Sequence, residues 1–254
     1  MALDVDQVRA LLPERHIVWL EVTASTMTEA AQLAAAGCAA GTAVVAEEQT
    51  AGQGRFGRTW HSERGSGLYV SLVLRLPLAA EDVPLLTLVL GLATAEAIAR
   101  TADLACDLRW PNDVLLEGKK CAGILVQAAE GAFIAGIGVN VNHAAFPPEL
   151  ADAATSLRLV SGHDHSREVL LANLLRAVDS FTKMLFEGGR GPVLRMFARA
   201  SSYAQGKRVV VEQDGRLLRG TTEGLSPSGF LMLRQEDGTR SIITAGGVCP
   251  AADA

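Results

Sequence analysis

The chain has 254 residues, 49% hydrophobic and 20% charged, which excludes disorder, collagen-like repeats and low-complexity sequence for its bulk. A net charge of −5 at neutral pH argues against a dedicated nucleic-acid binder, which carries a basic surplus. Any anion site must be a local basic spot on an acidic body.

The N-terminal MALDVDQVRALLPER has acids where a secretion signal needs bases, so secretion is not expected. Residues 3–12 read as a short amphipathic helix and 17–22 as a strand. Thr26 and Glu29 have capping-box spacing, ahead of an alanine-rich helix that stops near Gly37. Residues 42–47 read as a buried strand. A polar loop rich in Gly and Arg covers 49–67, and 68–76 alternate like a strand. A long helix is expected over 81–102; its apolar stretch is interrupted by Glu96 and short for a membrane span, so a buried helix is the better reading. Residues 107–113 read as a strand that must end at Pro111. Two strands joined at Glu117-Gly118-Lys119 form an expected hairpin. A strand over 133–142 and helices over 166–187 and 192–204 follow. Beyond Gln205 the chain is all short strands, with turns at Asp214-Gly215, Pro227-Ser228-Gly229 and Asp237-Gly238. That pattern predicts a small antiparallel barrel. The fold expected is α+β: a mixed or antiparallel sheet flanked by helices over 1–205, and a separable barrel over 206–254.

Cys38, Cys106, Cys121 and Cys249 form no C-x-x-C pair, so the cysteines suggest neither a zinc site nor a redox motif, and a cytoplasmic setting fits. The loop AGQGRFGRTW (51–60) combines Gly52, Gly54 and Gly57 with Arg55 and Arg58 and holds no acid. Glycines let backbone N–H groups approach a ligand, and a guanidinium fork matches phosphate or carboxylate. The loop suits an anion, though a solvated surface loop reads equally well from these residues alone. It is not a Walker P-loop, and no acid follows as a Rossmann fingerprint requires.

In RWPNDVLLEGKKCAGILVQ (109–127), Asn112 and Asp113 are presented where Pro111 breaks the strand. Such a pair can orient a ligand or Mg²⁺, or simply cap a turn. Strict alternation puts Lys120 on the face of Ala122 and Ile124, where an unpaired charge is costly; the bland alternative is a surface lysine at an open strand end. In GIGVNVN (136–142), Gly138 and Asn140 permit close approach to a ligand, or mark a β-bulge.

Taken together these segments resemble the biotin protein ligases. Residues 52–60 stand in the place of that family's G-R-G-R-x-G-R-x-W loop, and 109–113 in that of K-W-P-N-D. Ala24 to Met27 occupy the D-S-T-N segment, and Gly136 to Asn140 the G-I-G-x-N strand. The resemblance implies a class II synthetase-like catalytic domain with an SH3-like C-terminal barrel. It implies Lys120, Arg55 and Arg58 as catalytic residues. Biotin would meet Ser25, Thr26, Met27, Gln49, Gly52, Gln53, Gly54, Arg55, Lys120 and Gly123. ATP would meet Arg55, Arg58, Trp60, Asn112, Asp113, Lys120 and Asn140, with Mg²⁺ entering on ATP and Asp113 its one candidate ligand.

The implied reaction activates biotin as biotinyl-5′-AMP and transfers it to a lysine of a biotin carboxyl carrier protein domain. Gln53 stands where the family has arginine, Arg109 where it has lysine, and Ala24 and Met27 where it has Asp and Asn. A neutral Gln53 predicts a looser hold on the adenylate. About fifteen residues precede the resembling region, too few for the helix-turn-helix of regulatory members, so specific DNA binding is not expected. Neither is membrane association, and a monomer or weak homodimer is expected. The rival readings are a lipoate ligase, whose R-R-x-x-G-G-G loop is missing, and a non-enzymatic biotin sensor or RNA-binding module.

Overall fold

A computed structural model describes residues 2–129, 131–213 and 215–251; Asp214 of the expected Asp214-Gly215 turn and the end of the chain from 252 lie outside these. Helix α1 (Val5–Leu11) starts on Asp4, whose side chain accepts from the Gln7 amide, as the first-turn N–H groups require. Strand β1 (Ile17–Thr23) pairs in parallel with β2 (Ala43–Gln49). A parallel pair needs a crossover, and helix α2 (Thr26–Ala35) supplies it.

The expected capping box at Thr26 and Glu29 is not what starts α2. Ser25 is the N-cap and accepts from the Met27 amide, while Glu29 accepts from the Thr23 hydroxyl at 2.8 Å. The cap falls one residue earlier because Thr26 is already helical, and its hydroxyl is committed to Gln49 and Ser71.

Strands β3 (Gly67–Leu74), β7 (Ala132–Asn140), β6 (Lys119–Ala129), β5 (Asp113–Leu116) and β4 (Asp107–Arg109) complete a seven-stranded mixed sheet, ordered β1-β2-β3-β7-β6-β5-β4. Helices α3 (Val83–Ala102), α5 (Arg167–Gly188) and α6 (Arg190–Ala200) contribute to a common core with it. Helix α3 is long and apolar enough to cross a membrane, but it is apolar on nearly every side because it is buried, from Leu85 to Ile98. A short helix, α4 (Leu157–Ser161), capped by Ser156, was not legible as a period because it has five residues.

The C-terminal strands β8 (Gln205–Gln213), β9 (Arg216–Leu225), β10 (Leu231–Gln235), β11 (Arg240–Ile243) and β12 (Val248–Pro250) form one antiparallel sheet, ordered β11-β10-β9-β8-β12. Its inward side chains Val209, Val211, Leu231, Leu233, Ile243 and Val248 belong to the same buried cluster as α3 and the large sheet. The Trp110 indole N–H donates to the Gly229 carbonyl at 3.0 Å across the join.

Candidate functional site

The β5–β6 hairpin turns through Glu117 (φ 50) and Gly118 (φ 79), the left-handed pair that a two-residue hairpin needs. Leu115 then pairs with Lys120 but Val114 with Ala122, so Cys121 is the extra residue of a β-bulge. The bulge reverses the face of Lys120. Ala122 and Ile124 go into the core. Lys120 instead stands over Gly123, whose added Cβ would meet Lys120 Cε at 3.0 Å and Nζ at 3.1 Å. The expectation that Lys120 shares the apolar face is therefore overturned, because strict alternation does not survive an inserted residue.

On that face Lys120 Nζ lies 2.6 Å from Asp113 Oδ1, and Arg109 Nη2 lies 2.7 Å from Asp113 Oδ2. Burial pushes the Asp113 carboxyl up, but Lys120 and then Arg109 outweigh it and hold it below the ordinary carboxylate value. Both oxygens are thereby engaged by cations. Asn140 donates to the Lys120 carbonyl at 3.4 Å and to the Thr155 carbonyl at 3.0 Å. Its amide thus pins the backbone at Lys120.

The glycine-rich loop folds back onto this face. Gly54 N–H donates to the Arg58 carbonyl at 2.7 Å, and Trp60 N–H to the Gly52 carbonyl at 2.9 Å. The Trp60 ring lies flat enough on the sheet that a Cβ on Gly138 would sit 2.5 Å from its Cε2, and one on Gly123 2.8 Å from its Cζ3. Only glycine fits beneath it. Lys120 Nζ is 5.4 Å from the Trp60 ring, within cation–π range. Arg55 donates through one nitrogen, Nη1, to Asn112 Oδ1 at 3.0 Å and to the Gly246 carbonyl at 3.3 Å. Burial draws its pKa down, against the pull of Asp113.

Two cavities meet here. One is lined by Thr26, Met27, Gln49, Gln53, Gly54, Arg55, Lys120 and Gly123 of the expected biotin residues. Ser25 and Gly52 do not reach it: Ser25 is buried as a cap, and Gly52 turns the loop under Trp60. Gln49 accepts from the Thr26 amide at 2.8 Å, and the Gln53 amide donates to Thr28 Oγ1 at 3.3 Å. The other cavity is lined by all the expected ATP residues: Arg55, Arg58, Trp60, Asn112, Asp113, Lys120 and Asn140. Gly54, Arg55, Trp60, Asn112 and Lys120 line both. Sequence reasoning missed Tyr69 in the first cavity and Phe146, Gly246 and Gly247 in the second, and it placed Gly136 in the matched strand without assigning it to the first cavity. Gly136 was visible as the partner of Gly138 at strand period two. Its Cβ would lie 2.5 Å from Met27 Sδ, so it makes room for that side chain. Gly246 and Gly247 come from a distant segment and carried no signal.

Residues 19–143 match the Biotin/lipoate A/B protein ligase family, and 205–248 match the Biotin protein ligase C terminal domain. The chain is 36% identical over 242 residues to the bifunctional ligase/repressor BirA of Bacillus spizizenii, covering 91% of this chain and 73% of that one. It is 32% identical over 268 residues to the biotin–[acetyl-CoA-carboxylase] ligase of Mycobacterium tuberculosis, covering 96% and 97%. Its fold matches a biotin protein ligase from Aquifex aeolicus solved with biotin and ATP, with TM-score 0.83 and 32% identity over 92% of this chain and 97% of that one. With a glycine-floored cavity joined through Lys120 and Arg55 to a cationic one, the chain belongs to the biotin protein ligase family.

Proposed function

We propose that the two joined cavities carry the two half-reactions of this ligase. The enzyme activates biotin with ATP and transfers it to a lysine of a biotin carboxyl carrier protein domain. A biotin carboxylate oxygen forms a bond to the α-phosphorus as the bond to the pyrophosphate oxygen breaks, leaving biotinyl-5′-AMP. The ε-amine of the acceptor lysine then bonds to the biotinyl carbonyl carbon, loses a proton, and expels AMP.

The observation that carries the reading is the shared seam. The first cavity is narrow, floored by Gly123, Gly136 and Gly138, and suits the biotin rings. The second gathers Arg55, Arg58, Arg109 and Lys120 against one carboxylate, Asp113, and suits the phosphates. The carboxylate and the α-phosphorus meet where Arg55 and Lys120 face both. Two anions are brought together and the charge added at phosphorus is neutralised, so the task is positioning plus electrostatics. Trp60 walls the seam. Asn112 and Asn140 act as positioning residues, the first on Arg55 and the second on the Lys120 backbone. Mg²⁺ enters as part of the MgATP substrate. The acidic net charge favours no sequence-specific hold on DNA, and the four free cysteines favour a cytoplasmic setting; a monomer or weak homodimer is part of the same proposal.

The test is turnover of the purified chain with ATP, biotin and a carrier domain. Biotin-dependent pyrophosphate release and a biotinylated carrier lysine are expected, with little of either when lipoate replaces biotin. No biotin-dependent pyrophosphate release would overturn the reading.

A further inference from the structure

His143 follows the β7 strand and is fully buried, yet neither ring nitrogen has a hydrogen-bond partner among the described residues. A buried polar group without a partner forfeits its hydration unreplaced, and such an orphan in a folded protein calls for an occupant, a water or an ion. The ring is stacked on Phe146 at 5.1 Å, so one face is closed, and His61 lies 5.9 Å away. Glu63 Oε2 is 4.0 Å from His143 Nε2. One ligand atom from each of His61, Glu63 and His143 lies within 4.8 Å of the other two.

We propose that His61, Glu63 and His143 form a binding site for a transition-metal dication, Zn²⁺ by its ligand set, at the edge of the nucleotide cavity. Two imidazoles and a carboxylate suit zinc, whereas Mg²⁺ and Ca²⁺ take oxygen ligands. Tetrahedral bonds of about 2.0–2.1 Å put ligand atoms about 3.3 Å apart. The contraction needed is therefore about 1.5 Å at most, and the half-exposed Glu63 side chain and the partly exposed His61 have the freedom to make it.

The backbone around the trio is already fixed. The Glu63 carbonyl accepts from the Tyr69 hydroxyl at 3.0 Å and the His143 carbonyl from Ser156 at 2.7 Å. The Asn142 amide donates to the Ser66 carbonyl at 2.7 Å, clipping the 61–66 loop to the end of β7. Three protein ligands leave the fourth zinc position for water or another oxygen donor. His61 and Phe146 also line the nucleotide cavity, so a phosphate oxygen is within the chemistry of that position.

The full chain, stripped with a chelator, is titrated with Zn²⁺ by calorimetry without ATP or biotin. Uptake of one equivalent is expected, with a rise in Tm. His61→Ala and Glu63→Gln change partly exposed side chains and keep the fold, checked by circular dichroism, and each should weaken uptake at least about tenfold. Cys38→Ser and Cys249→Ser report metal held by thiols. No saturable uptake by the wild type overturns the proposal. So does uptake that survives both His61→Ala and Glu63→Gln, or that is lost only in a cysteine variant. None of these readouts depends on ligation.

Discussion

Asp113 holds Lys120 on one oxygen and Arg109 on the other, so the ammonium is aimed before any substrate arrives. Lys120→Ala should fold yet lose adenylation by about 10²–10³-fold in kcat, the cost of removing one fixed donor to developing negative charge. Pyrophosphate release checks this, and a rate near wild type would end the assignment. Asp113→Asn leaves two cations without their counter-ion at a site where the carboxylate is mostly buried. Breaking such a pair costs about 3–5 kcal/mol. The sign with pH follows from the lowered pKa of Asp113. Its stability is fully present above the unfolded carboxylate value of about 3.9 and is lost as pH falls through the lower folded value. Thermal melts of wild type and Asp113→Asn should therefore differ by a constant amount above about pH 5 and converge below about pH 4. A gap that stays constant down to pH 2 would contradict the ion-pair account.

At the scale of elements, β7 works through what it lacks. Gly136 and Gly138 turn bare backbone toward Met27 and Trp60 while Ile137 and Val139 fill the core. Gly138→Ala places a methyl within 2.5 Å of the indole, and overpacking of this kind costs about 1–3 kcal/mol. The expected result is a displaced Trp60, seen as a changed indole fluorescence, with weakened biotin and ATP binding; unaltered fluorescence and affinity would show that the ring is not seated there.

Strand and helix positions were legible where they follow from periods, as in 17–22, and the co-ordered motifs located the two clusters; the strand expected over 107–113 is instead only Asp107–Arg109, because residues 110–112 turn the chain back so that Arg109 pairs with Asp113 of the next strand. The face of Lys120 was not legible, because one bulged residue inverts alternation and no residue type announces a bulge at Cys121. The part played by Asn140 was hidden for a similar reason: its partners, the Lys120 and Thr155 carbonyls, are backbone groups that every residue has. His143 drew no notice because it lies just past the motif that ends at Asn142, and only the structure shows it buried.

For the molecule as a whole, the barrel expected to be separable shares its core with the large sheet. Truncation after Gln205 uncovers Trp110 and removes the turn at Gly229 that packs on Leu85 and Leu88. Each large apolar side chain uncovered costs about 1.5–3 kcal/mol, against a total stability of about 5–15 kcal/mol. The truncated chain should aggregate or melt far below the wild type in a thermal scan, and a cooperative melt within a few degrees of wild type would show two independent units. The Arg55 contact adds a subtler effect. One nitrogen of its guanidinium is moored to Asn112 and to Gly246, its plane lies over the Phe56 ring at 4.7 Å, and the other two nitrogens have no hydrogen-bond partner among the described residues. A free arginine gives up about 1.5–2 kcal/mol of rotamer freedom when it is ordered. Here folding has already imposed that loss, so on the proposed function the remaining nitrogens are set before a phosphate arrives. On the proposed function, the C-terminal segment favours nucleotide binding through Arg55, by deciding when the disorder of one side chain is surrendered.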